Sequence, residues 1–188
     1  MAQNERVPVL FIGDSVTEFW RDDPFFTRRG YVRKGVRGET SGQILARFAA
    51  DMTSVGPVAV HILAGTNDIA QNQGPVSLDE ILSNITAMAG FASAKGVMVY
   101  LCSVLPTDDY WWYPGLEPRQ KIVTLNVRLA EYSSVHRCTY VDYHSAMVDA
   151  CGSPRREYLP DGVHPSVEGY AMMEHVFDDV VHSPQTTA

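Results

Sequence analysis

Cysteine is scarce in this chain, and acidic residues outnumber basic ones. Of 188 residues only Cys102, Cys138 and Cys151 are cysteines, and the net charge at pH 7 is -7. An odd number of cysteines without the spacing of metal ligands predicts neither a disulfide framework nor a zinc site. Because phosphate binding requires clustered lysine and arginine, the negative charge argues against a nucleic-acid partner.

Long hydrophobic runs are also missing. A membrane-spanning helix needs about 20 consecutive apolar residues. No run in the sequence approaches that length, so no membrane span is expected. The first six residues lack the apolar core of a secretion signal. We therefore expect a cytoplasmic protein, although a secretion signal removed from a longer precursor would leave the same sequence.

The composition is that of an ordinary globular protein. Hydrophobic residues make up 45% of the chain and charged residues 20%, which is typical of a soluble domain. A chain of this length buries about 70% of the surface that it would expose when unfolded. We predict one domain over residues 1–183, followed by a loose tail at residues 184–188.

Apolar runs alternate with amphipathic segments along the chain. The predicted strands are Val7–Ile12, Tyr31–Val36, Val58–Leu63, Val97–Leu105 and Thr139–Tyr143. Apolar residues recur at three- and four-residue spacing in the predicted helices, which are Ser41–Asp51, Leu78–Lys95, Pro118–Ser133 and Ser166–Val181. Ser166 is a plausible N-cap residue of the last helix. Alternation of strands and helices predicts an α/β fold, with a parallel sheet covered by helices on both faces.

This order of elements brings four polar segments to one edge of the sheet. Ser15, Gly38 and Asn67 follow the first three strands, and the loop with Asp161 and His164 follows the fifth. In a sheet ordered 2-1-3-4-5, the first and third strands are neighbours at the switch point, where such sheets bind ligands. We therefore expect Ser15 and Asn67 to face each other across a crevice.

Ser15, His164 and Asp161 have the chemistry of a serine esterase. A serine hydroxyl needs an adjacent base to become a nucleophile. We assign His164 as that base, and Asp161, three residues before it, as the carboxylate that orients the imidazole. Asp161 can reach His164 locally, so only Ser15 must come from a distant part of the chain.

The oxyanion of the reaction also needs hydrogen-bond donors that are already in place. The candidates are the backbone N–H groups of Ser15 and Gly38 and the side-chain amide of Asn67. Taken alone, Ser15 could be a helix cap, while Gly38 and Asn67 could be turn residues. Taken together, the segments favour catalysis.

Two aspartates and one histidine have simpler interpretations. Asp14 and Asp68 are expected to be turn or cap carboxylates. His61 lies inside the third predicted strand, so we expect a hydrogen-bonded residue of the core.

Four short blocks resemble the SGNH (GDSL-type) hydrolase family. They are, in order along the chain, Gly13-Asp14-Ser15, Gly38-Glu39-Thr40, Gly65-Thr66-Asn67-Asp68 and Asp161-Gly162-Val163-His164-Pro165. The pattern is most similar to the bacterial branch that resembles platelet-activating-factor acetylhydrolase and lysophospholipase-like esterases. The resemblance implies a flavodoxin-like three-layer fold with a five-stranded parallel sheet. It also implies ester or thioester hydrolysis without a cofactor or metal, and it assigns the family's name-giving residues to Ser15, Gly38, Asn67 and His164.

Two positions depart from the family pattern. Val16 stands where the GDSL signature has leucine, and Arg33 stands where many members have asparagine ahead of the second block. Neither residue supplies a proposed catalytic atom. We expect Arg33 to affect how the loop around Gly38 is held.

A run of aromatic residues follows the fourth predicted strand. Tyr110, Trp111 and Trp112 belong to the proline-flanked segment Leu105–Gly115, which should overhang the crevice. We predict that they bind the substrate as an acyl or aryl wall, with a sugar-stacking platform or a contact between identical chains as alternatives. Phe19 and Trp20, one turn after Ser15, are assigned to the same wall, or else pack beneath it.

The predicted substrate is a small ester with a short acyl chain. Short connections leave no separate lid, and one aromatic loop cannot roof a long tunnel. Carbohydrate O-acetyl esters are the alternative within the same chemistry.

Two other classes of function remain. Asp14, Asp68, Asp161 and His164 could bind a divalent metal for phosphoester hydrolysis. The domain could also be a non-catalytic module that binds a small ligand, which would leave the Asp161–His164 pair unexplained.

Overall fold

The computed structural model describes residues 8–20 and 23–182. Its centre is a five-stranded, all-parallel sheet in the order β2-β1-β3-β4-β5. The strands are β1 (Val9–Gly13), β2 (Val32–Gly35), β3 (Ala59–Leu63), β4 (Met98–Cys102) and β5 (Thr139–Val141). This confirms the predicted fold class and strand order. The first strand was predicted to begin at Val7. Val7 lies outside the described residues, and Pro8 is described but precedes β1.

Eight helices connect or flank these strands in the described part of the chain. They are α1 (Ser15–Phe19), α2 (Asp23–Arg29), α3 (Ser41–Val55), α4 (Thr66–Ile69), α5 (Leu78–Ala94), α6 (Pro118–Val135), α7 (Tyr143–Met147) and α8 (Val167–His182). The four long helices were predicted. No bounds were predicted for the four short ones, because four to seven residues carry too little periodicity to be recognised.

Local caps explain where several helices begin. The Ser166 hydroxyl accepts a hydrogen bond from the Gly169 N–H at 3.1 Å, which confirms the predicted cap of α8. Asp142 accepts a hydrogen bond from the Ser145 N–H at 3.0 Å and starts α7. The fifth strand therefore ends at Val141, two residues earlier than predicted.

The sheet separates two hydrophobic clusters. On one face, Leu10 and Ile12 of β1 pack with apolar residues of α3, α5 and α6. On the other, Val9 and Phe11 pack with the aromatic side chains of α2 and α8, including Phe177. Burial on both faces is the reason why the strands are almost continuously apolar.

Two further findings concern membranes and the C-terminus. Among residues 8–20 and 23–182, no helix has the length and apolar character needed to cross a lipid bilayer. The predicted loose tail, residues 184–188, lies outside the described residues.

Candidate active site

Ser15 is held at the junction between β1 and α1. The Asp14 carboxylate caps α1 by accepting a hydrogen bond from the Val16 N–H at 2.9 Å, and Ser15 is the first residue of the helix. Gly13 is required just before it, since a Cβ atom there would lie 2.4 Å from the carbonyl oxygen of Leu63. Ser15 is therefore not the helix cap. Its position comes from a tight turn that Asp14 and Gly13 build.

The loop after Pro160 supplies the imidazole and its carboxylate. Asp161 Oδ1 accepts hydrogen bonds from the N–H groups of Val163 and His164, at 2.8 and 2.7 Å. Asp161 Oδ2 accepts the hydrogen bond of His164 Nδ1 at 2.8 Å. One carboxylate thus both shapes the turn and orients the ring. The turn also needs Gly162, whose φ of 87° lies in the left-handed region.

The three residues form a continuous hydrogen-bonded chain. Ser15 Oγ lies 3.1 Å from His164 Nε2. Because His164 Nδ1 donates to Asp161, Nε2 is left as the acceptor for the serine hydroxyl. Burial raises the pKa of Asp161, but the hydrogen bonds from His164 and Val163 outweigh it, so the pKa lies below its ordinary value. Asp161 is therefore ionised at neutral pH and can stabilise an imidazolium.

Asn67 lies next to this chain at the start of α4. Its side chain is buried, with 4% of its surface exposed. Asn67 Nδ2 donates to the Glu39 carbonyl at 2.9 Å and makes a longer contact with Asp14 Oδ2 at 3.3 Å. Gly38 lines the same cleft with a φ of 78°, a conformation that favours glycine. The residues predicted to form an oxyanion hole are thus brought together.

A cleft of about 740 Å³ opens above these groups. Ser15, Gly38, Asn67 and His164 lie on its surface. The other walls combine apolar and polar side chains, namely Phe19, Arg37, Asn72, Gln73, Trp111, Trp112 and Val163. The cleft is wide and open to solvent at its rim, where Trp111 exposes 67% of its surface.

Two residues assigned to the substrate wall are buried in the core. Trp20 is fully buried, stacks on Phe25 with ring centroids 5.4 Å apart, and donates from Nε1 to Glu174 at 3.1 Å. Tyr110 is also fully buried, in the cluster on the opposite face of the sheet. The assignment of Trp20 and Tyr110 to substrate contact is therefore wrong. Phe19, the other residue named for that wall, does line the cleft, whereas for Trp20 the alternative of packing in the core holds.

The Arg33 side chain turns toward α2. Its guanidinium donates to the Trp20 carbonyl and lies over the Phe26 ring. The residues around Gly38 are held instead by Arg37, which pairs with Glu18 at 2.7 Å, and by Arg47, which pairs with Glu39 at 2.7 Å. An effect of Arg33 on the Gly38 loop therefore stays a prediction, and it would have to act through Trp20 or α2.

The remaining acidic side chains act as caps and braces. Asp68 accepts hydrogen bonds from the N–H and hydroxyl of Ser41, at 2.8 and 2.6 Å, and so ties α4 to the start of α3. Burial raises the pKa of Asp14 to about 7, although the Val16 N–H and His164 oppose the shift. Within the described residues, no group of three or more His, Cys, Asp or Glu side chains is arranged to hold a metal ion.

His61 belongs to the core, as predicted. Its Nε2 lies 2.8 Å from the Tyr143 hydroxyl, and its ring stacks on Phe11 with centroids 4.3 Å apart. Burial lowers the pKa of His61 to about 3, so the ring is neutral at physiological pH.

Sequence reasoning missed three polar residues of the cleft. Arg37 stands beside Gly38 and could have been noticed from that block. Asn72 and Gln73 belong to a turn after α4 and carry no motif. Only the path of the chain brings them to the site.

The fold and the site define a class, the serine ester hydrolases of the parallel α/β type. The model of the GDSL-like lipase/acylhydrolase family matches residues 11–172, and the chain belongs to this family. The predicted family and enzyme class are therefore confirmed.

Solved structures give the same result. The chain is similar to a candidate acylhydrolase from Bacteroides fragilis, at 38% identity with a TM-score of 0.90, covering 96% of this chain and 88% of the other. A GDSL-like lipase from Bacteroides thetaiotaomicron is 36% identical with a TM-score of 0.90, covering 96% and 90%. A candidate platelet activating factor protein from Streptococcus pneumonia is 28% identical with a TM-score of 0.81, covering 94% and 85%. A comparison with curated proteins gave no match.

Proposed function

We propose that the protein hydrolyses carboxylic esters with short acyl chains, through an acyl-enzyme intermediate on Ser15. The observation that carries the proposal is the hydrogen-bonded chain from Ser15 to His164 to Asp161, which opens directly into the cleft. Asn67 and Gly38 beside it supply donors for an oxyanion.

The geometry supports the following steps. Ser15 Oγ attacks the ester carbonyl carbon while His164 Nε2 accepts the hydroxyl proton. The negative charge on the carbonyl oxygen is stabilised by the Ser15 and Gly38 N–H groups and the Asn67 amide. His164 then gives its proton to the alkoxide leaving group, which departs as the alcohol. Water, deprotonated by His164, attacks the acyl-enzyme and releases the acid, and the proton returns to Ser15.

Preference for short acyl groups is supported by the shape of the cleft. Its apolar surface is provided by Val163 and by the aromatic rings of Phe19, Trp111 and Trp112, which can contact a small acyl or aryl group. The wide opening leaves a long chain in contact with water along much of its length, so added methylenes gain little apolar burial.

Carbohydrate O-acetyl esters are a second candidate, favoured by the rim of the cleft. The exposed ring of Trp111 can stack on a sugar. The nearby side chains of Arg37, Asn72 and Gln73 can bind hydroxyl groups.

A chain-length series tests the proposal. We expect p-nitrophenyl acetate to hexanoate to be hydrolysed with higher kcat/KM than longer esters, and activity to persist in excess chelator. Ser15→Ala should abolish turnover while the circular dichroism spectrum and Tm stay close to wild type. Substantial activity in Ser15→Ala would overturn the nucleophile assignment. An optimum at palmitoyl esters would overturn the preference for short acyl chains. Loss of activity in chelator would favour metal chemistry.

Trp111 distinguishes the two substrate classes. If it walls an acyl pocket, Trp111→Ala should shift the preference toward longer acyl chains with a modest loss on acetate esters. If it stacks on sugar, the same change should raise KM for acetylated oligosaccharides and leave the p-nitrophenyl chain-length profile unchanged. Size-exclusion chromatography of the variant tests the third role, a contact between identical chains.

A further inference from the structure

A chain of hydrogen bonds links the aromatic loop to the Asn67 amide. Trp112 Nε1 donates to Asn72 Oδ1 at 2.9 Å, and Asn72 Nδ2 donates to Asn67 Oδ1 at 2.7 Å. The backbone N–H of Asn72 also donates to the Asn67 carbonyl oxygen at 3.0 Å. Asn72 is therefore tied to Asn67 through both its backbone and its side chain.

The direction of this chain follows from its first donor. An indole N–H can donate a hydrogen bond but cannot accept one, so Trp112 requires the oxygen of the Asn72 amide. The NH₂ group of Asn72 must then face Asn67, where it meets the amide oxygen. This leaves the NH₂ group of Asn67 facing Asp14, the residue before Ser15, and the Glu39 carbonyl.

The orientation of Asn67 matters because its two ends have opposite chemistry. Rotating the amide by 180° would keep its shape but would present an oxygen where the oxyanion forms. Of the two hydrogen bonds donated by Nδ2, the one to Glu39 is well formed at 2.9 Å, whereas the contact with Asp14 is long at 3.3 Å. The weaker hydrogen bond, to Asp14, is therefore the one that Asn67 can exchange for a hydrogen bond to an oxyanion at the smaller cost.

Packing holds the first donor in place. The Trp112 ring contacts the rings of both Tyr110 and Trp111, with centroid distances of 5.1 and 5.2 Å, and Tyr110 is fully buried. Asn72 is presented by a turn in which Gln71 adopts a φ of 59°. The indole therefore approaches Asn72 from a ring that the hydrophobic core supports.

We propose that Asn72 is a positioning residue of the oxyanion hole, and that the indole N–H of Trp112 sets the direction of the Asn72 and Asn67 amides. The proposal rests on the esterase function and on the role of Asn67 proposed above. Asn72 acts in two ways. It holds the Asn67 amide in the productive orientation, and its donation to Oδ1 polarises the amide, which strengthens the hydrogen bond that Nδ2 can donate.

Three single variants separate the hydrogen bond between Trp112 and Asn72 from the one between Asn72 and Asn67. Asn72→Asp keeps an acceptor for Trp112 but places an oxygen against Asn67 Oδ1. Asn72→Ala removes both links, and Trp112→Phe removes only the indole N–H from an aromatic ring. With p-nitrophenyl acetate we expect kcat to fall about 10- to 100-fold in both Asn72 variants and severalfold in Trp112→Phe, with KM changing less, because an oxyanion donor acts mainly on the transition state. Trp111→Phe, the same change on the neighbouring ring, should lower kcat less than Trp112→Phe.

A double-mutant cycle with Asn67→Ala gives the decisive measurement. Asn67→Ala should lower kcat about 10²–10³-fold. If Asn72 acts through Asn67, adding Asn72→Ala to that variant should cause little further loss. A merely structural role for Asn72 would lower kcat by the same factor in both backgrounds.

The outcomes distinguish the failure of this proposal from failure of the esterase assignment. Activity retained in Ser15→Ala overturns the proposed function, ester hydrolysis through an acyl-enzyme on Ser15. If Ser15→Ala is inactive, the positioning role is overturned by an unchanged kcat in both Asn72 variants, by multiplicative losses in the cycle, or by an unaffected kcat in Asn67→Ala. If Asn72→Ala fails to fold, the cycle is measured with Asn72→Asp, and the same results apply.

Discussion

Single residues in the active site have more than one task. Asp161 accepts two backbone hydrogen bonds through one oxygen and the His164 ring through the other. Asp14 caps the helix of Ser15 and also faces the Asn67 amide. Substitution of either residue therefore has effects on local structure and on chemistry, which experiments must separate.

Replacing Asp161 with asparagine separates its structural task, accepting the backbone N–H groups, from its task of orienting His164. In Asp161→Asn the amide oxygen can still accept the backbone N–H groups, but the NH₂ group faces His164 Nδ1 and favours the wrong tautomer. We expect kcat to fall by up to about 10⁴-fold, less than in Ser15→Ala, with little change in Tm. Steady-state kinetics at pH 8 test this. A kcat equal to that of wild type would show that Asp161 does not orient the imidazole.

For Asp14, the test is the pH dependence of stability. Its pKa rises from 3.8 to about 7 on folding, so the folded state binds the proton more tightly than the unfolded state. This group therefore lowers the stability of the protein as pH increases from about 4 to 7, by at most about 4 kcal/mol at 1.36 kcal/mol per pKa unit.

Asp14→Asn removes that ionisation. The free energy of unfolding of Asp14→Asn relative to wild type should increase between pH 5 and pH 8, as measured by urea denaturation. Comparing the two pH values cancels costs that do not depend on pH, such as the contact between two NH₂ groups at Asn67. A difference that stays constant between pH 5 and pH 8 would mean that the Asp14 pKa is not raised.

At the scale of helices and strands, close approach determines where glycine is needed. Gly169 is buried in α8, where an added Cβ would lie 2.3 Å from the Tyr158 carbonyl oxygen. Gly90 lies on the exposed side of α5, where an added Cβ would meet no atom within 4 Å. The same substitution should therefore have opposite effects at the two positions.

We expect Gly90→Ala to raise the free energy of unfolding by about 0.5–1 kcal/mol, because alanine loses less backbone entropy in a helix. Gly169→Ala should lower it by about 1–3 kcal/mol, because α8 must move away from the segment at Tyr158. Urea denaturation of the two variants provides the measurement, with each serving as the control for the other. Changes of the same sign would contradict the packing of α8.

At the scale of the whole molecule, the last helix holds the first catalytic segment in place. The Tyr170 hydroxyl donates to the Val16 carbonyl at 2.8 Å, and Glu174 accepts the Trp20 indole N–H at 3.1 Å. These contacts join α8, which follows the His164 loop, to the residues just after Ser15. The fold thereby brings together groups from its two ends.

Tyr170→Phe tests this connection. Loss of the buried hydrogen bond should lower the free energy of unfolding by about 1–3 kcal/mol, while kcat should change only severalfold, because Ser15 and His164 keep their direct contact. Urea denaturation and turnover of p-nitrophenyl acetate check the two parts. An unchanged free energy of unfolding would show that the hydrogen bond between Tyr170 and Val16 makes no net contribution to stability.

Local chemistry made much of this protein predictable from its sequence. Strand and helix alternation is visible because hydrophobic periodicity depends on neighbouring residues. The pairing of Asp161 with His164 and the cap of α8 at Ser166 are also local, since in each case the two partners are only three positions apart. The order of strands then brings Ser15 and Asn67 to one edge of the sheet.

The tertiary structure alone decided which side chains face the cleft. Tyr110 and Trp111 are adjacent in the sequence, yet one is fully buried and the other is 67% exposed. Trp20 fills the core while Phe19 lines the cleft, and Asn72 reaches Asn67 from a turn without any motif. In loops and at the ends of short helices, no long repeat of the backbone determines the direction of a side chain. The direction depends on the space that distant elements leave, and that space exists only when the whole chain has folded.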